Sequence, residues 1–163
     1  MTRMRPTLQP RFATIKDKKL IGQRLKMSFA NNRTGELWTG FGPRKKEIKN
    51  TLGNDLISLA VYEPAYFADF QPTKEFERWA AVEVSDYRDV PSEMETFDLH
   101  GGLYAVFDHK GKHTDDSIFQ YIYGTWLPSS GYMLDNRPHF EVLGEKYRND
   151  DPESEEEIWI PIK

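Results

Sequence analysis

A chain of 163 residues is long enough to bury roughly two-thirds of the surface its unfolded form exposes, and short enough to be one domain. It has no cysteine, which excludes disulfides, thiolate metal sites and cysteine nucleophiles; no stretch is long and apolar enough to span a membrane, and residues 1–10 lack the apolar core of a secretory signal, so a cytoplasmic location is expected. A net charge of −4 and a pI near 5.6 lack the basic surplus of a phosphate-gripping protein, so no direct nucleic-acid binding is expected.

Aromatic residues make up 13% of a chain whose mean hydropathy is −0.71, which concentrates the apolar content in rings that fill cores or line pockets. Residues 20–29 alternate as a half-buried strand does, and residues 31–35 are turn chemistry. Thr34 can cap a helix in which Leu37, Phe41, Ile48 and Leu52 recur at helical spacing, with Gly42-Pro43 kinking or dividing it. Residues 56–62 and 76–85 read as strands separated by a proline- and aromatic-containing loop.

After a connector at residues 86–95 the order begins again. Residues 101–109 read as a strand, Asp115-Asp116 can cap a helix over 117–127, and residues 138–147 and 157–162 read as two strands. Each half, about 12–86 and 96–163, is therefore strand, helix, strand, strand, and one composite α+β domain with a cleft between its two helices is expected. On the second helix Ile118, Ile122 and Trp126 make one stripe, while Tyr121 sits apart and suggests a second dry face. The acidic residues 149–156 read as a solvated loop.

Glu157 follows that loop in strand phase with Trp159 and Pro161, opposite Ile158, Ile160 and Ile162. Two readings stay open: an inward carboxylate or the last solvated residue of the loop. Inward, it would favour a lipophilic organic cation, which supplies charge and accepts cation–π contacts. His109 and His113 have i, i+4 spacing but flank Lys110-Gly111-Lys112 in a turn, so no metal site is expected; Gly101-Gly102 precedes a strand and is no phosphate loop, and no cofactor is expected.

Four segments in order resemble a known family: Gly101-Gly102-Leu103-Tyr104 through Gly111, Trp126-Leu127-Pro128 through Tyr132, Arg137-Pro138-His139-Phe140-Glu141, and Glu157-Ile158-Trp159-Ile160-Pro161-Ile162. Together the succession resembles the GyrI-like effector-binding domain, found also at the C-terminus of AraC-type and multidrug-responsive regulators. The second half matches over nearly its whole length; the first rests mainly on Leu37-Trp38 and Phe41.

The resemblance implies two pseudo-twofold SH2-like βαββ units and an interhelical cleft for hydrophobic, often cationic compounds. It also implies a floor glutamate at Glu157, with Trp38 and Tyr104 as pocket aromatics and Phe41, Tyr121, Trp126 and Trp159 around them. No helix-turn-helix segment is expected before the first strand. A sensor or sequestering module for small hydrophobic or cationic ligands is the leading reading. The alternatives are a hydrolase opening cyclopropane-containing toxins, with Glu157 as general acid or base beside Tyr104, and a protein-interaction inhibitor of DNA gyrase. No protein partner is specified.

Overall fold

Eight strands form one antiparallel sheet in the computed structural model, which describes residues 9–110, 117–144, 147 and 153–163. In chain order they are β1 (Arg11–Ile15), β2 (Lys18–Met27), β3 (Leu56–Val61), β4 (Phe76–Val84), β5 (Glu95–Leu99), β6 (Gly102–Lys110), β7 (His139–Leu143) and β8 (Glu155–Pro161). Helix α1 (Thr34–Phe41) follows β2 and gives way at Gly42-Pro43 to a 3-10 turn (Gly42–Glu47), so the glycine–proline pair divides the helix. Thr34 is the first residue of α1 and not its cap: Arg33 holds the cap position without a side-chain cap hydrogen bond, and Asn32 Oδ1, one residue earlier, accepts from the Thr34 N–H at 2.9 Å. Helix α2 (Ser117–Tyr121) runs through a π-helical turn (Ile122–Trp126) into α3 (Leu127–Ser130), ending at Gly131 with φ 82°. The expected caps Asp115 and Asp116, and His113, lie outside the described residues.

Two strands were not expected, β1 and β5, one at the start of each half. Across the sheet the order is β1-β6-β8-β7-β3-β4-β2-β5. It reads alike from either edge once β5–β8 are substituted for β1–β4. The first strand of each half pairs within the other half, β1 with β6 and β5 with β2.

Only residues 16 and 17 join β1, at one edge, to β2, beside the other edge; such a link spans about 10 Å, so the sheet curls until its edges nearly meet. Residues 100 and 101 make the matching link. There a Cβ on Gly101 would lie 2.1 Å from the Ile15 carbonyl oxygen, and the Gly101 N–H donates to the Asp17 carboxylate at 2.8 Å.

The curl gives the strands two dry faces. Leu20, Ile57, Leu59, Trp79, Tyr104 and Phe140 pack inside it. Outside, α1 sets Leu37 and Phe41 on Ile21, Ala80 and Val82, while Ile118, Ile122 and Trp126 of the second helical run pack on Ala105, Phe107, Ile158 and Ile160. The expected stripe on that run is thus its sheet-facing side. Each of the buried leucine, isoleucine, valine and phenylalanine side chains contributes about 1.5–3 kcal/mol. Among the described residues no helix is long and apolar enough to cross a membrane.

Candidate ligand-binding site

With α1 over β2 and β4, and α2 over β6 and β8, the central strands β3 and β7 run between the helices. Strand alternation turns Ser58 and Ala60 of β3, and His139 and Glu141 of β7, toward the helix-bearing face. Register sets Ser58 opposite Glu141, and Ala60 between His139 and Arg78 of β4. On the other flank Glu141 faces Ile158 of β8, and Glu156, two residues earlier, faces His109 of β6. A strip of polar groups therefore crosses the floor between two apolar helix packings.

Two carboxyl groups dominate this floor. Glu156 is only 6% exposed and hydrogen-bonds through its side chain to Glu141. Burial, then repulsion by Glu141, then their shared hydrogen bond push its pKa up to about 9, against a smaller pull from Arg78. A pair this close holds a proton between its members, because two adjacent charges out of water repel strongly. Glu156 Oε2, Arg78 Nε and His109 Nε2 are buried without a hydrogen-bond partner among the described residues. Each unmet group costs about 1–3 kcal/mol in the empty protein.

One end of the strip is walled by rings from residues 62–67 and from the π-helical turn. Phe67 stacks on Tyr123 at 5.5 Å and meets Tyr62 edge-on at 4.8 Å; Tyr62 in turn lies edge-on to His139 at 4.9 Å. Tyr123 Oη and His139 Nδ1 share a hydrogen bond of 2.7 Å. Burial lowers the His139 pKa to about 3 and raises those of Tyr62 and Tyr123, so this wall is uncharged at neutral pH.

The residues expected from sequence divide between the two faces of the sheet. Trp38, half-buried and edge-on to Phe41, lies with Phe41 and Trp126 on the helix-bearing side. Tyr121 opens instead toward a separate hollow beside Phe12 and Tyr132. Glu157, Tyr104 and Trp159 belong to the inside of the curl. Tyr104 is fully buried, its hydroxyl donating to the Pro138 carbonyl at 3.2 Å and its ring covered by Arg137. Trp159 stacks on Phe140 at 5.2 Å and donates through Nε1 to Glu157.

Glu157 forms an ion pair with Arg11, which also holds Asp108. The interhelical floor position expected for Glu157 is occupied by Glu156, because adjacent residues of a strand face opposite ways. Since the Arg11–Glu157 pair is partly exposed, Glu157→Gln should shift stability by less than about 1 kcal/mol in chemical denaturation. A loss of several kcal/mol would contradict this placement.

Sequence reading missed Glu141, Glu156, Arg78, Tyr123, His139 and the rings of residues 62–67. Glu141 stood inside a quoted motif, and Glu156 inside the acidic run. A hollow of about 200 Å³ opens near Glu157 and Trp159; of the charges lining it Lys18 pairs with Glu83 and Glu157 with Arg11, and Asp55 lines it as well. Of the five buried side-chain atoms without a partner among the described residues, three, on Arg78, His109 and Glu156, lie on the interhelical side, while Arg137 Nη1 lies by Tyr104 and Asn50 Oδ1 in the loop beside Asp86.

Residues 11–162 match the family model described as Cass2, integron-associated effector binding protein. Over 145 residues the chain is 30% identical to the transcriptional regulator BrlR of Pseudomonas aeruginosa, covering 88% of this chain and 51% of that protein. It thus spans about half the regulator's length. Two of the solved structures that share the fold illustrate it. One, SAV2435 bound to tetraphenylphosphonium, has a TM-score of 0.70 at 15% identity over 96% of this chain and 94% of that one. The other, the integron cassette protein VCH_CASS2 of Vibrio cholerae, has a TM-score of 0.67 at 16% identity over 95% and 96%.

Proposed function

Since the chain belongs to the Cass2 family of integron-associated effector-binding proteins, we propose that it binds small lipophilic cations between α1 and α2, with Glu141 and Glu156 as the anionic floor. The carboxyl pair carries this reading. In the empty protein the pair retains a proton that burial and mutual repulsion force upon it. An organic cation takes the place of that proton, leaving the charge of the pair as it was, and lays its apolar surface against Tyr62, Phe67 and Tyr123, whose rings add cation–π attraction. Nothing here needs a covalent step. The protein then acts as a sensor or a sequestering module, and specificity comes from charge set in an aromatic wall.

Calorimetric titration with tetraphenylphosphonium and with tetraphenylborate, a pair of like shape and opposite charge, tests the proposal. The phosphonium is expected to bind while the borate, at a hundredfold higher concentration, does not. Equal binding of both, or of neither, would overturn it.

A further inference from the structure

The same floor holds a positive charge. Arg78 lies along β4 with its guanidinium carbon 5.4 Å from the Phe76 ring centroid. Its Nη1 donates to Ser58 Oγ at 3.0 Å, which carries the guanidinium over β3, and Nε is buried without a partner. Its field reaches across the strip: it acts on the hydroxyls of Tyr62 and Tyr123 and on the carboxyl of Glu156. From β3 the next strand, with Glu141, is about 5 Å away and the one after, with Glu156, about 10 Å.

Resting on the binding reading above, we infer that the preferred ligand is amphoteric: an aromatic cation that also carries a carboxylate or similar anion, roughly 5–10 Å from its positive centre, for Arg78 to hold. A ligand with only positive charge pairs with the carboxyls but meets Arg78 as a like charge in a dry site. An added anion converts that repulsion into a charge-assisted hydrogen bond and satisfies the empty Nε donor. Arginine suits the task, because its planar fork binds a carboxylate through two donors at once. His109, with Nε2 unmet opposite Glu156, remains available to a further polar group at the far end.

Rhodamine 110 and its methyl ester, rhodamine 123, share one aromatic cation and differ in the free carboxylate. Fluorescence anisotropy at pH 7.5 should find the acid bound about tenfold more tightly than the ester by the unmodified protein. Arg78→Met keeps an unbranched side chain against Phe76 and removes the charge; it should abolish or invert the preference, while Arg78→Lys keeps part of it. Equal or tighter binding of the ester by the unmodified protein would overturn the inference, as would an undiminished preference in Arg78→Met. Binding of both dyes without preference would leave the cationic site standing and remove only the amphoteric ligand. Binding of neither would remove both.

Discussion

Tetraphenylphosphonium should bind about tenfold more tightly for each unit of pH between 6 and 8, and Glu156→Gln should flatten that dependence. The direction follows from the raised pKa of Glu156. Below about 9 the empty site is protonated, and the cation binds the ionised form, so lowering the pH adds a proton that must be expelled. In Glu156→Gln the carboxyl with the raised pKa is gone, and with it the proton that the cation must expel. Removing both, as Glu141→Gln with Glu156→Gln, should cost at least about thirtyfold in affinity, near 2 kcal/mol.

Stability without ligand follows the same linkage. A folded-state pKa above the unfolded one stabilises the protein below the unfolded pKa, and this contribution is lost as pH rises toward about 9. Unliganded parent protein should therefore lose about 2–3 kcal/mol relative to Glu156→Gln between pH 7 and pH 10 in denaturant titrations. A pH-independent affinity in the parent would show that Glu156 is not the group displaced.

Gly22→Ala should be the most damaging small substitution in the fold. Gly22 sits on β2 opposite Ala81, and an added Cβ would lie 2.0 Å from the Ala80 carbonyl oxygen and 2.7 Å from the Ala81 Cα. Both are backbone atoms of β4, a strand paired on either side by β2 and β3, so neither can turn aside as a flexible side chain would. The expected loss is roughly 3–5 kcal/mol, a large share of the whole stability of a domain, and a melting temperature lower by about 10 °C or more. Unchanged melting would mean that β2 and β4 are farther apart than described.

Chain-order reading found the divided first helix, the stripe of Ile118, Ile122 and Trp126, and six of the eight strands. These signals are local: a glycine–proline pair, helical spacing, alternation. It missed β1 and β5, each only five residues and paired with a strand from the other half of the chain.

That Glu157 lies on the face of β8 away from the helices was illegible for a different reason. Both faces of β8 are dry, one inside the curl and one beneath α2, so alternation separates Glu157 and Trp159 from Ile158 and Ile160 without saying which set meets the helices. Glu156, on the isoleucine face, was hidden in a run of acids that composition assigns to solvent. Arg78 gave no warning at all, since an arginine between Glu77 and Trp79 reads as the polar half of an ordinary strand.

A crystal structure of the protein with tetraphenylphosphonium tests the central claim most directly. The phosphorus is expected between α1 and α2, about 4–6 Å from the carboxylates of Glu141 and Glu156, with phenyl groups against Tyr62, Phe67 or Tyr123. A phosphonium seated instead by Glu157 and Trp159, at the mouth of the curled sheet, would contradict it.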